Sequence, residues 1–172
     1  MVKSGSLPDS ARQQTFERLM RDYEVAVLRT CFLCLSDRHL AEDALQDTFL
    51  KVWRSLHQFE RRNGCTEKSW IMRIAINTCS DYRRTAWLRH FSSAKSIEDL
   101  SVLPISQESH ELLEDVLSLP EKYRQVVVLY YYQDMTMEEA AKTLGMSRPT
   151  FAKRLKKARE LLRDQLRGEE LP

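Results

Sequence analysis

Thr136-Met137-Glu138-Glu139-Ala140-Ala141-Lys142-Thr143-Leu144-Gly145-Met146-Ser147-Arg148-Pro149-Thr150-Phe151-Ala152-Lys153-Arg154-Leu155-Lys156-Lys157-Ala158-Arg159 reads as two helices and the turn between them. Thr136 with Glu139 three residues on is a capping box: the hydroxyl accepts from the Glu139 amide and the carboxylate reaches back to the Thr136 amide. The helix so opened turns Ala140, Ala141 and Leu144 inward. It stops at Gly145, where a left-handed backbone meets no side-chain clash. Met146 follows as an apolar plug, and Ser147 caps the second helix. Phe151, Leu155, Ala158 and Leu162 form the inward stripe of that helix; Arg148, Thr150, Lys153, Arg154 and Lys157 form its outward stripe. A capped short helix, a glycine turn and a basic helix make a helix-turn-helix, whose second helix lays its N-terminal residues in the DNA major groove. Arg148, Lys153, Arg154, Lys156, Lys157 and Arg159 are interrupted by no acid, which suits phosphate neutralisation with a steep salt dependence. The bland alternative is a helical hairpin with a solvated basic face. Cap, glycine, plug and basic stripe falling in one register weigh against it.

Outward from this segment the chain stays helical. Only 4 Gly and 5 Pro occur among 172 residues, too few for a turn-rich β fold. Pro120 suits the first turn of a helix running through Val126, Val127, Leu129 and Tyr130, and Leu112, Leu113, Val116 and Leu117 continue the periodicity before it. From about Leu88 to Glu108 serines and Pro104 replace apolar spacing, which marks a polar linker. Between Asp99 and Glu121 acids occur without any Lys or Arg. Upstream lie three amphipathic stretches. The first runs from Ser10 to Leu35 with Phe16, Leu19, Met20, Tyr23, Val27 and Cys31 on one face. The second runs from Leu40 to Phe59 after a cap at Asp37, and the third follows a cap at Thr66, with Trp70, Ile71, Ile74, Ala75, Cys79 and Tyr82 inward. The expected fold is all-α: two small helical domains, 10–90 and 109–168, joined by a flexible linker, 91–108.

The net charge of +2 says little by itself about a partner. The polar N-terminus lacks the apolar centre of a signal peptide, and no run of about 18 apolar residues follows, so a cytoplasmic chain is expected. Cys31, Cys34, Cys65 and Cys79 then sit in a reducing compartment, where a disulfide framework is unexpected. Cys31-x-x-Cys34 has a metal or redox spacing, but zinc needs two more ligands; packing residues are expected, with no metal and no cofactor.

The third helix carries a second stripe, Arg73, Asn77, Asp81 and Arg84, followed by Arg83, Trp87 and Arg89 with no acid from Tyr82 to Ile97. Cations, aromatics and an amide together serve single-stranded DNA through backbone neutralisation, stacking and edge hydrogen bonds. A salt-bridged surface helix with Trp70 and Tyr82 in the core is the alternative. The second helix sets Glu42, Asp43 and Asp47 beside Gln46, Phe49, Lys51 and Trp53, an acidic and aromatic face for a basic partner helix. Asp43 and Asp47 could also be metal ligands or an acid/base pair, but no His or glycine loop accompanies them, and no catalytic residue is expected.

Ala41-Glu42-Asp43-Ala44-Leu45-Gln46-Asp47-Thr48-Phe49-Leu50-Lys51-Val52-Trp53, Trp70-Ile71-Met72-Arg73-Ile74-Ala75-Ile76-Asn77 and Asp81-Tyr82-Arg83-Arg84 resemble the region-2 domain of bacterial sigma factors. The segment from Leu119-Pro120 to Ala158-Arg159 is similar to their region-4 domain. Order, spacing and linker length resemble the smallest class, the extracytoplasmic-function sigma factors. The resemblance implies a non-enzymatic protein that directs core RNA polymerase to promoters. Asp43, Gln46, Asp47, Lys51 and Trp53 would meet the polymerase clamp helices. The loop Glu60 to Cys65 and the third helix would capture flipped bases of the −10 element through Arg62, Asn63, Arg73, Asn77, Asp81, Arg83 and Arg84. Ser147, Arg148, Thr150, Lys153, Arg154 and Lys157 would read the −35 element as duplex. Pro149 and Phe151 stand where family members commonly have Gly and Val. The resemblance further implies a monomer when free, without membrane insertion, held inactive by an anti-sigma factor. The alternative from the residues alone is a dimeric helix-turn-helix regulator that acts without polymerase.

Overall fold

A computed structural model describes residues 9–59, 64–88 and 107–169, which contain helices and turns and no strand. The helices are α1 (Asp9–Leu35), α2 (Arg38–Phe59), α3 (Glu67–Leu88), α4 (Gln107–Ser118), α5 (Glu121–Val127), α6 (Met137–Thr143) and α7 (Arg148–Glu169), with a π turn (Val128–Tyr132) prolonging α5. None is long and apolar enough to cross a membrane. Their ends follow local chemistry. Asp37 Oδ1 accepts from the Leu40 amide at 2.8 Å, and Thr66 Oγ1 accepts from the Ser69 amide at 3.1 Å. The capping box closes as expected: the Glu139 amide donates to Thr136 Oγ1 at 3.2 Å and the Thr136 amide donates to Glu139 at 3.0 Å. Gly145 takes φ +66°, the left-handed turn for which only glycine is unstrained.

Two boundaries differ from expectation. Helix α4 begins at Gln107, inside the stretch assigned to the linker, of which 91–106 lie outside the described residues. Pro120 precedes α5, and its carbonyl accepts from the Tyr123 and Arg124 amides at 2.9 and 3.0 Å. After α5 the ladder widens: the Gln133 amide reaches back to the Val128 carbonyl at 3.0 Å. That extra residue in the turn brings the Gln133 side chain inward, to 3% exposure.

Helices α1, α2 and α3 pack on one another around Leu19, Val27, Ala44, Val52, Ile71 and Ala75; α5, α6 and α7 pack around Val126, Leu129, Ala140, Phe151, Leu155 and Ala158. The halves also touch, α1 against α4 and α5 and α3 against α6, so the buried apolar residues form one continuous cluster. The consequence shows at the end of α1, where every residue from Thr30 to Leu35 is buried rather than one face of the helix. On α3, Met72 is buried outside the expected stripe, with the Thr30 hydroxyl 3.5 Å from its sulfur.

Thr136→Ala removes one capping acceptor and is expected to destabilise the protein by about 1 kcal/mol. Gly145→Ala forces a Cβ into the left-handed region, a penalty of about 1–2 kcal/mol. Urea denaturation followed by circular dichroism measures both, with Gly145→Asn expected to lose less than Gly145→Ala.

Candidate functional site

Burial of Phe151, Leu155 and Ala158 fixes the rotation of α7 and turns Ser147, Arg148, Thr150, Lys153, Lys156 and Lys157 to solvent, with Arg154 half-buried. Arg148, Lys153, Arg154 and Lys156 have no acidic partner among the described residues, and Lys157 lies 3.6 Å from Glu160 on its own helix. Ser147 and Thr150 serve the helix start: Ser147 Oγ accepts from the Thr150 amide at 3.3 Å, and the two hydroxyls lie 2.8 Å apart. Arg159 is drawn away from this face, donating to the Tyr131 hydroxyl at 2.6 Å beside the rings of Tyr130 and Tyr131.

On α3 the second stripe is exposed over Arg73, Asn77, Asp81 and Arg84. Asp81 holds both neighbours, with Arg84 at 3.0 Å and Lys51 of α2 at 3.4 Å. Arg83 does not join them. It is half-buried and pairs with Glu121 of α5, and burial lowers its pKa. Trp70 and Tyr82 follow the core alternative. Trp70 is buried and stacked on Phe59 with centroids 4.7 Å apart, and the Tyr82 hydroxyl donates to Asp47 at 2.7 Å. Burial first, then that hydrogen bond, raises the Tyr82 pKa. Arg62, Asn63 and the Trp87 side chain lie outside the described residues. The start of α3 is anchored to α1, because Arg18 grips both oxygens of Glu67 at 2.6 and 3.0 Å.

Helix α2 divides the candidate partner-facing residues in two. Asp43 and Gln46 are exposed. Asp47 and Lys51 are half-buried and turned to α3, Asp47 through Tyr82 and Lys51 through Thr78 Oγ1 at 3.0 Å as well as Asp81. Trp53 packs edge-on against Phe16 at 5.2 Å under the Arg12 guanidinium, 4.2 Å from its ring, which also donates to the Trp53 carbonyl at 2.8 Å. Leu50, not among the residues expected on this face, is 51% exposed. Its spacing from Asp43 and Gln46, seven and four residues, could have placed it on their side.

The remaining sequence candidates are accounted for by packing. Cys31, Cys34 and Cys79 are buried and unbridged, and a thiol hydrogen bond with Cys79, together with burial, holds Cys34 far above the usual thiol range. Among the described residues no three His, Cys, Asp or Glu side chains are grouped to hold a metal ion. The arrangement offers two exposed basic surfaces, one on α7 and one on α3, and a mixed polar and apolar face on α2.

The family profiles Sigma-70 region 2 and Sigma-70, region 4 match residues 19–89 and 109–162. The chain is 28% identical over 155 residues to the ECF RNA polymerase sigma factor SigM of Bacillus subtilis, covering 87% of this chain and 93% of that protein. It is 32% identical over 164 residues to the RNA polymerase sigma-E factor of Streptomyces avermitilis, covering 91% and 87%. Among solved structures it is similar to CnrH in complex with the cytosolic domain of CnrY, with TM-score 0.69 and 26% identity over 92% of this chain and 91% of that one.

The Arg18–Glu67 pair makes one prediction. Chiefly through the hydrogen bond from Arg18, the Glu67 carboxyl titrates below its ordinary value of 4.5. A depressed carboxylate adds stability above its unfolded pKa and loses it as the pH falls through the folded one. Glu67→Gln is therefore expected to lower the thermal midpoint at pH 7 and to leave a shallower loss of stability below about pH 4.5, measured by melting at stepped pH.

Proposed function

Because this chain belongs to the extracytoplasmic-function sigma factor family, we propose that its faces divide the work of a sigma factor, a protein that binds core RNA polymerase and directs promoter-specific initiation. Helix α7 reads the −35 element in the duplex major groove: Arg148, Lys153, Arg154 and Lys157 neutralise phosphate and reach base edges, while Ser147 and Thr150 hold the helix start against the backbone. The stripe Arg73, Asn77, Asp81 and Arg84 of α3, joined by Arg62 and Asn63, takes the melted strand of the −10 element; an amide among cations suits base edges beside a charged backbone. Asp43, Gln46 and Leu50 dock α2 on the polymerase. Asp47 and Lys51 contribute through α3, as positioning residues, and Trp53 secures the contact between α1 and α2. The working units are 10–90 and 109–168, with α4 adding its first turn from Gln107 to the second.

The observation that supports this most is the rotation of α7. The buried Phe151, Leu155 and Ala158 leave Arg148 and Lys153 exposed, with no acid beside them among the described residues. The chemistry asked of the chain is binding alone, in keeping with a family that is not enzymatic. A regulatory partner of anti-sigma type, covering the polymerase-binding faces, is supported by CnrH having been solved with the cytosolic domain of CnrY.

Run-off transcription with core polymerase of the same organism, on a library of its promoter fragments, tests the assignment. Protein-dependent start sites are expected. Lys153→Ala weakens promoter binding and reduces its salt slope by about one. Asn77→Ala reduces open-complex formation while leaving core binding unchanged. Leu50→Arg lowers core affinity about tenfold or more, as loss of a central interface contact does. Neither transcript nor core binding from the parent chain would overturn the assignment in favour of a dimeric regulator.

A further inference from the structure

We propose that Asp81 is an internal competitor for the nucleic-acid backbone: its carboxylate occupies Arg84 as a phosphate would, and so holds down the binding of any strand that brings no further contacts. The inference rests on the assignment of the α3 stripe to single-stranded DNA, and it gives one residue of that stripe a part opposite to its neighbours'.

An acid is out of place where Asp81 lies. From Lys68 to Ile97 the chain carries the cations Lys68, Arg73, Arg83, Arg84, Arg89 and Lys95, and Asp81 is the one acid among them. It shares its exposed stripe with Arg73, Asn77 and Arg84, at spacings of three and four that put them on one face of the helix. A carboxylate on a surface that meets phosphate repels it and offsets part of what each cation contributes. Helix capping does not account for it: among the described residues the Asp81 side chain accepts only from Lys51 and Arg84, and from no backbone amide. Its two oxygens are divided between these cations. Oδ1 accepts from the Arg84 guanidinium at 3.0 Å, and Oδ2 lies 3.4 Å from Lys51 Nζ of α2. Among the described residues Asp81 is the one carboxylate in ion pairs with two cations.

The two pairs differ in how easily they are exchanged. Lys51 is half-buried and also donates to Thr78 Oγ1 at 3.0 Å, so it is tied to α3 twice. The Arg84 side chain is 72% exposed and that of Asp81 57%, and Arg84 has no other partner among the described residues. An exposed pair of this kind is worth at most about fivefold in an equilibrium constant. A phosphate offers a guanidinium the same two-oxygen geometry as a carboxylate and can take Arg84 over. Lys51 then keeps Asp81, and the tie between α2 and α3 survives the exchange. Arg84 thus has two settings, held by Asp81 in the free chain and given to the backbone when a strand is seated. Apparent affinity falls by the fraction of the chain in which Arg84 is engaged. A strand that meets the stripe alone loses that factor. One held also through the polymerase and α7 is bound tightly enough to outweigh it.

Fluorescence anisotropy of the full chain with a labelled oligothymidylate tests this, since that strand has no promoter sequence and no exocyclic amine for a carboxylate to read. Arg148→Ala and Lys153→Ala are present throughout, so that α7 contributes little. At about 0.1 M salt one freed cation–phosphate contact raises single-strand affinity about fivefold and steepens the log–log salt slope by about 0.7. Asp81→Asn keeps the side-chain shape and an oxygen for Lys51, and it is expected to show both effects with unchanged helical circular dichroism. Adding Arg84→Ala restores the net charge and is expected to return the affinity to within about twofold of the starting chain. Asp22→Asn removes an equal charge from an exposed pair on α1, and screening is expected to limit its effect to less than about twofold. An equal gain from Asp22→Asn would reduce the effect to net charge and overturn the proposal. Weaker binding by Asp81→Asn would also overturn it, as the mark of a carboxylate that only holds the helices in place. Arg73→Ala separates the proposal from the assignment it rests on. Weakening by Arg73→Ala with no gain from Asp81→Asn would overturn the competitor alone, whereas no effect from either would overturn the assignment of α3 as well.

Discussion

The end of α1 is the constraint on which the rest of the molecule hangs. A helix leaves its last four carbonyls without internal donors, and here the residues bearing them, Phe32 to Leu35, are buried. A buried acceptor left without a partner is destabilising by about 1–3 kcal/mol. The protein answers with Arg124, whose guanidinium spans the Leu33 and Cys34 carbonyls and Ser36. Burial lowers the Arg124 pKa, which is the electrostatic counterpart of that service: a cation is held in a half-buried position because carbonyl dipoles stand in for its water. Ser36 turns the chain at φ 55°, sending α2 back along α1. One junction therefore fixes the direction of α2, the burial of the α1 terminus and the seat of α5.

What the sequence made legible is what is local. Asp37, Thr66, Thr136 and Ser147 each cap the helix that follows because an acceptor three residues from an amide needs nothing else to find it. Gly145 could be placed for the same reason, as could the inward stripe of α7, whose amphipathic period is long and unbroken. The α1 terminus was legible only in hindsight. Cys31-Phe32-Leu33-Cys34-Leu35 is apolar all round, a pattern of helices covered on all sides, yet the cover comes from residues some ninety positions away. The π turn at Val128–Tyr132 has no spacing signature of its own, and with it went the inward position of Gln133.

The candidate site divides along the same line. Its exposed stripes, Arg73 to Arg84 on α3 and Arg148 to Lys157 on α7, follow from helical spacing and could be listed residue by residue. The roles of single side chains did not follow, because each depends on a partner elsewhere. Arg83 lies next to Arg84 in sequence but about 100° around the helix, and faces Glu121. Tyr82 and Lys51 look like stacking and docking residues until Asp47, Thr78 and Asp81 are seen beside them. Leu50 is hidden in the apolar pattern by its neighbour Phe49, which satisfies the core stripe. The three buried cysteines show how a motif-like spacing can arise from packing alone. Cys31, Cys34 and Cys79 meet because their helices pack, and the hydrogen bond with Cys79, together with burial, raises the Cys34 thiol, away from the thiolate form that reactivity needs.

These tertiary ties also join the surfaces to one another. Between α2 and α3 run the Tyr82–Asp47 hydrogen bond, partly shielded from water, and the reach of Lys51 to Thr78 and Asp81; shielding strengthens such a bond and raises the penalty for breaking it. At the other end of α3, Glu67 is clamped to α1 through Arg18. Helix α3 is thus held at both ends by side chains of α1 and α2, and the angle of its exposed stripe is set by them rather than by its own sequence. The outer face of α2, Asp43, Gln46 and Leu50, belongs to the same helix as Asp47 and Lys51. Whatever seats that face therefore aims α3 as well, and the two surfaces of the N-terminal half behave as a single oriented body.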